Sequence, residues 1–257
     1  MADEGREPVS IVCVFNNAAV RSSCLDRSIR VNLDSAPDTE YIPVDNTRRQ
    51  YATAGAALNA GAAQARHRVV VFVHQDVYLH SLVALEQAAA RLVATPDIGF
   101  VGAIGVTSSG EVAGVVRDRV VFIGHPSTDT DAIDSVDEVL VMVTRDRVLS
   151  QPLSEDPDLA WHAYAVEYGA RVRSQGLRVV TADLPLTHNS MTTNLDRLDE
   201  AHRHIARLYP SLTPMRTTCG VVRTRGDTGA VRTAVRRHRG AATWWHESVA
   251  AARLARA

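Results

Sequence analysis

The sequence contains no lysine. All 28 of its basic residues are arginine, which, with its many alanines, reflects GC-rich coding and carries no functional meaning of its own. Cysteine is scarce. Cys13, Cys24 and Cys219 are odd in number and lack metal-site spacing, so they offer no disulfide framework, and a reduced cytoplasmic setting is expected. No apolar run approaches the roughly 20 residues needed to span a bilayer. The opening MADEGREPVS is acidic and polar, unlike a signal peptide. Net charge is only -1, so no global field draws nucleic acid. No GxGxxG follows the first apolar run and no GxxxxGK[ST] occurs anywhere, which argues against a dinucleotide fold and a P-loop. Internal repeats are absent too.

What is present is the composition of an ordinary soluble protein, 46% hydrophobic and 22% charged over 257 residues. That length can bury a full core, as one large α/β domain or two small ones. Charge is unevenly spread. Residues 216–257 hold nine Arg against Asp227 and Glu247, about +7, which leaves about -8 for the rest. Residues 8–215 are expected to form one domain and 216–257 a basic extension. In that extension a Gly- and Arg-rich link (220–241) precedes a helix carrying Trp244 and Trp245. Such a helix suits a membrane surface or an acidic partner, or it docks on the domain or a second subunit.

Strand and helix signals alternate through the first half. PVSIVCVF (8–15) reads as a buried strand, followed by Asn16, Asn17 and a helix from about Ala19 to Arg30. EYIPVD (40–45) is a second strand and 51–66 an Ala-rich helix. VVVFV (69–73) is a third strand, 82–94 a helix and IGFVGAIGV (98–106) a fourth strand. This alternation predicts a mostly parallel sheet. Beyond it, 107–124 reads as a hairpin, 138–146 as a strand, 159–175 as a helix, 177–183 as a strand and 195–208 as a helix ending before Pro210.

Three strand ends finish in polar groups: Asn16/Asn17, Asp45/Asn46 and His74/Asp76. In a parallel sheet they emerge at one edge, where ligands bind. Asp and Asn there can hydrogen-bond a base and ribose, and a carboxylate can hold a divalent ion against a diphosphate. A nucleotide site without a Gly-rich loop would lean on such an ion. The plain alternative is that these residues end strands and cap the next helices.

The segments SIVCVFNN (10–17), YIPVDNT (41–47), AALNAGAAQA (56–65), VFVHQDVYL (71–79), WHAYAVEYGARVRSQGL (161–177) and LTHNSMTTNLD (186–196) together resemble the family 2 glycosyltransferases of the GT-A fold. The resemblance is nearest to the branch that includes the streptomycin-biosynthesis StrF-type domain. It implies a GT-A-like α/β domain with a mostly parallel sheet flanked by helices. It also implies a nucleoside-diphosphate sugar as donor, Mg²⁺ or Mn²⁺ as cofactor, and inverting transfer to an acceptor hydroxyl. Phe15, Asn16, Asp45, Asn46, Asn59 and His74 would surround the donor. Asp76, the surviving carboxylate of an Asp-x-Asp motif that here reads His74-Gln75-Asp76, would bind the metal with His188.

The acidic pair that many relatives carry before the Arg-x-Arg-like run falls on Tyr164 and Ala165, so the base must come from elsewhere. Glu167 is the first candidate and His162 the second, with Asp158 nearby. Residues two apart on a helix point about 200° from each other, whereas His162 shares the face of Ala165. Glu167 is equally placed as an i,i+4 partner of Arg171. Trp161 and Tyr164 would either wall an acceptor pocket or pack on the sheet. Rival functions are a non-catalytic sugar-nucleotide binder or regulatory partner and, last, a nucleotidyltransferase. The expected location is cytoplasmic, with a peripheral contact at the inner face of the membrane as a further option.

Overall fold

The computed structural model describes residues 5–128, 130–189 and 195–224. A six-stranded sheet lies at its centre. From one edge its order is Arg178–Thr181, Ile98–Gly102, Leu140–Thr144, Val69–Val73, Val9–Phe15 and Glu40–Asp45. Val9–Phe15 runs parallel to both Glu40–Asp45 and Val69–Val73, and Arg178–Thr181 runs parallel to Ile98–Gly102. Leu140–Thr144 is antiparallel to both of its neighbours. The sheet is therefore mixed, with one reversed strand inside a parallel majority. That reversal brings the residues preceding Leu140 to the edge reached by those following Phe15 and Val73.

Side chains alternate across the strands and divide the core in two. Ile11, Val71, Leu140 and Met142 meet Leu82, Leu85 and Leu92 on one face. Val12, Phe72, Val141 and Val143 meet Ala57, Leu58, Tyr164 and Tyr168 on the other. With both faces covered, VVVFV is buried at all five positions, which is why it reads as an unbroken apolar run.

Local chemistry sets the helices. Leu82–Ala94 is capped by Ser81, whose Oγ accepts from the Ala84 N–H at 3.1 Å. It stops before Pro96, which restricts the residue ahead of it. Its Leu82, Leu85, Ala89 and Leu92 are buried at helical spacing, each leucine contributing roughly 2 kcal/mol. Ala54–Ala62 is capped by Thr53. Gly61 lets this helix lie on the sheet, because a Cβ there would sit 2.3 Å from Val12 Cγ1.

Several elements differ from expectation. The first helix is broken into Ala18–Arg21, a π-helical Ser22–Asp26 and Arg27–Asn32. The 98–106 run divides at Ala103 and Ile104, and Gly105–Thr107 joins a separate sheet with Ile133–Val136 and Val112–Ala113. The 107–124 region thus holds parts of two sheets. Val116–Asp118 and Val121–Ile123 pair within a four-stranded sheet that also contains Val77–Leu79 and Leu186–His188. The 159–175 helix begins only at Tyr164, since Ala160 and Ala163 have left-handed φ of 49° and 54°. The helix expected over 195–208 is Leu198–Leu208.

A hairpin of Met215–Thr217 and Gly220–Val222 follows. Met215 and Val222 are buried with Ile205 and Ala170 in a third apolar cluster. The packed body thus continues past residue 215, where the extension was expected to start, because these apolar side chains find a helix to cover them. Trp244, Trp245 and most of the Gly- and Arg-rich link lie outside the described residues. Among the described residues no helix is long and apolar enough to cross a membrane.

Candidate functional site

The strand ending at Val73 releases His74, Gln75 and Asp76, and the chain re-enters a strand at Val77. That short strand pairs antiparallel with Leu186–His188, in register Val77 to His188. The Asn189 N–H donates to the Asp76 carbonyl at 2.9 Å. Sheet pairing therefore carries His188, over a hundred residues away in sequence, to Asp76. His188 Nε2 lies 3.6 Å from Asp76 Oδ1. The His74 and His188 rings are 5.9 Å apart between centroids. Ligand atoms of His74, Asp76 and His188 all lie within 4.8 Å of one another. Two imidazoles and a carboxylate make a donor set able to hold a first-row divalent cation. Burial, then the neighbouring His188, holds His74 below the usual imidazole range, which favours the neutral form that can ligate.

Asp118 stands behind His188. Its Oδ1 is 3.7 Å from His188 Nδ1, because Leu186–His188 also pairs with Val116–Asp118 in register His188 to Asp118. That distance is a charge contact longer than a hydrogen bond, on the nitrogen where a carboxylate can orient a ligating histidine. Burial raises the Asp118 carboxyl, with Asp76 and Asp137 adding to the effect and His188 and Arg119 opposing it. Asp118 was not among the residues expected at the site. Its only sequence signal is an acid within a β-branched run.

Gln75, the middle residue of the motif, fastens two strand ends together. Its Oε1 accepts from the N–H groups of Asn16 (3.2 Å) and Asn17 (3.0 Å), and its Nε2 donates to Asn16 Oδ1 at 2.8 Å. Asn17 caps the next helix, its Oδ1 accepting from Ala19 and Val20. Asp45 is exposed and accepts from the Thr47 N–H at 2.7 Å. That bond and one from the Thr47 hydroxyl hold its carboxyl below the ordinary range.

The remaining donor-site candidates lie deeper. Phe15 is buried, with the Arg21 guanidinium 3.8 Å above its ring. Asn46 is buried and its amide pins Tyr51. Asn59 spends its amide on the backbone of Leu153 and on Glu155. Asn16, Asp45 and the His74–Asp76 turn follow neighbouring strands at one edge. Asn46 and Asn59 act as loop fasteners, which residue type alone could not reveal.

A cavity of about 290 Å³ opens beside the cluster, lined by His74, Asp76, Glu138, Trp161, His162 and His188 among others. His162 thus reaches the site, and burial lowers its imidazole, partly opposed by the Asp196 carbonyl and charge. Glu167 is not on that wall. It is 2% exposed, bonded to Arg171 Nη2 at 2.7 Å and to the Tyr209 hydroxyl at 2.7 Å. The geometry makes it the structural partner of Arg171 and corrects its candidacy as base. Asp158 is likewise held, by Arg207 at 2.8 Å.

Asp156, Asp158 and His204 form another compact group among the described residues. With Arg207 on Asp158, it ties a loop to the Leu198–Leu208 helix. Asp137 and Glu138, absent from the sequence candidates, line the main cavity. They precede the reversed strand, and only its direction puts them at this edge.

A family model described as a glycosyltransferase-like family matches residues 9–209. Solved structures share the architecture. The mannosyltransferase PcManGT from Pyrobaculum calidifontis, in complex with GDP-Man and Mn²⁺, superposes with a TM-score of 0.54 at 15% identity, over 80% of this chain and 64% of that one. GalNAc-T7 with UDP, GalNAc and Mn²⁺ gives 0.53 at 13%, over 83% and 52%. TarS from S. aureus gives 0.52 at 14%, over 78% and 39%. The chain spans less than two thirds of each of these proteins. No curated protein matches it. At such identities the likeness establishes the fold, an α/β architecture of the GT-A type.

Proposed function

The chain belongs to the glycosyltransferase-like family, and from that premise we propose that it moves a sugar from a nucleoside-diphosphate sugar to an acceptor hydroxyl, with inversion and with Mg²⁺ or Mn²⁺ bound. One observation carries this reading: His74, Asp76 and His188 converge beside a cavity at the sheet edge that suits a nucleotide. Asp76 and His188 would ligate the cation, and His74 would complete the set or meet an adjoining phosphate. A bound cation would offset the charge of a departing diphosphate.

Asn16 and Asp45, at neighbouring strand ends, would take the base and ribose. Phe15, Asn46 and Asn59 would hold the floor and loops beneath them. Trp161, 40% exposed at the cavity, offers a ring face to a sugar. The GDP-Man, UDP and Mn²⁺ bound by similar structures support the donor and metal classes. Affiliation with the StrF-type branch, a cytoplasmic location, and a surface contact made by residues 216–257 belong to the same proposal.

Thermal unfolding against a panel of nucleoside-diphosphate sugars, with Mn²⁺ and with chelator, tests it. A donor at about 100 times its dissociation constant should stabilise the protein by about 2.7 kcal/mol. The shift should vanish with chelator and in Asp76→Ala. No shift with any donor, in folded protein, would sink the nucleotide-site reading. A non-catalytic binder is the second reading, favoured by Ala165 and Tyr164 standing where relatives carry acids. It predicts the same shift with no release of nucleoside diphosphate.

A further inference from the structure

We propose that Glu138 is the general base that takes the proton from the acceptor hydroxyl, an inference that rests on the transfer reading above. A base must face the cavity, keep a lone pair unclaimed and be held in place. The acids lining this cavity differ on those counts. Asp76 belongs to the cation cluster. Asp137 has both oxygens occupied, one by the Val139 N–H at 3.0 Å and the other by the Thr218 hydroxyl at 2.5 Å. Glu138 contributes to the wall of the same cavity, and its Oε1, buried in the free protein, has no hydrogen-bond partner. Its carboxylate is steadied by the backbone N–H groups of Tyr164 and Ala165, at the start of the Tyr164–Ser174 helix.

Two contacts fix its distance from the cation cluster. The His74 N–H donates to the Val139 carbonyl at 3.1 Å, and His74 Nε2 lies 3.3 Å from the Tyr164 hydroxyl. The next residue and the helix that steadies Glu138 are thus both bonded to a member of the cluster. His162, a basic group in the cavity outside the cation cluster, bonds the Asp196 carbonyl and is weakened as a base by burial. Burial acts on Glu138 in the opposite sense. With Asp137 beside it, burial pushes the carboxyl up to about 8, so it holds an abstracted proton firmly once ionised, and the transfer rate should rise with pH through that value.

The step balances. The acceptor oxygen gives its proton to a Glu138 oxygen and forms a bond to the anomeric carbon. The bond from that carbon to the diphosphate oxygen breaks, and the nucleoside diphosphate leaves with the electron pair.

The test compares the full wild-type chain with E138Q, E138D and E138A. Binding of UDP and GDP with Mn²⁺ is measured by calorimetry. Release of nucleoside diphosphate is measured from the donor giving the largest thermal shift. E138Q should bind nucleotide like the wild type but release product on the order of 10²–10⁴-fold more slowly. E138D should keep part of the rate, and formate should restore part of it to E138A, which a merely structural carboxylate would not allow. Release by E138Q within about threefold of wild type, far short of what loss of a base costs, overturns the assignment and leaves the transferase standing. A wild-type chain that binds neither nucleotide overturns the transfer reading and this base together.

Discussion

Two glutamates at opposite ends of the central sheet show how differently its ends are built. Glu40 opens a strand at the end away from the site. Burial alone would raise its carboxyl, but bonds from Ser10 and from the Arg66 backbone and guanidinium outweigh that and hold it low. Glu138, at the site end, is pushed up to about 8 by burial and Asp137, against two backbone N–H groups. The same side chain is satisfied at one end and left wanting at the other. Nearby groups follow suit. At the far end Arg145 Nε donates to the Ala65 carbonyl at 2.7 Å. At the site end Asp118 Oδ1 and Glu138 Oε1 are buried without hydrogen-bond partners. Glu138 lines the cavity and Asp118 stands behind His188, which lines it too; shifted, unsatisfied groups beside a cavity are what a site, rather than a stability device, presents.

Three measurements sharpen or break this contrast. The largest effect is expected in the pH dependence of unfolding. Glu138 has a folded pKa above its ordinary 4.5, so the native state binds the extra proton between about pH 4.5 and 8. Its contribution is present below that window and is lost as pH rises through it, by an amount on the order of a few kcal/mol. Glu40 works the other way, contributing above its ordinary range and losing that contribution as pH falls through its depressed value. Chemical denaturation from pH 5 to 8.5 should therefore show a decline that E138Q flattens. An unchanged slope in E138Q would erase the contrast.

Next comes Asp118→Asn. If the carboxylate orients His188, Mn²⁺ affinity measured by calorimetry should fall about 10–100-fold with little change in unfolding midpoint. Unaltered affinity would reduce Asp118 to packing. The smallest effect is expected for Arg66→Ala at the far end. Its side chain is 80% exposed, so losing the pair with Glu40 should cost about 0–1 kcal/mol and leave nucleotide binding untouched.

Much of the architecture was legible because periodicity survives folding. VVVFV reads as buried on both faces and is so, and the helix over 82–94 has the expected bounds because Ser81 and Pro96 mark its ends. Asp76 and His188, expected as partners from resemblance, lie side by side in the structure. Strand direction was not legible. Nothing local in EVLVMVT says that this strand runs backwards, and Asp137 and Glu138 reach the cavity only because it does. Amide partners were hidden for a similar reason. Asn46 and Asn59 are visible as residues, but Tyr51 and Leu153 become their partners only through tertiary contact. Glu167 shows the converse: its i,i+4 spacing to Arg171 suited an ion pair as well as a base, and the structure holds it in the pair.

The reversed strand also sets an order of events during synthesis. Val69–Val73 is wholly apolar, and one of its sides is filled by Leu140–Thr144, made roughly 70 residues later and so a distinctly non-local partner. Until that segment leaves the ribosome, this wholly apolar strand presents an open edge, the kind of surface on which nascent chains aggregate. Truncations ending before Leu140 should be insoluble even though they contain every donor-side strand, and chaperones should engage the chain most strongly in that interval.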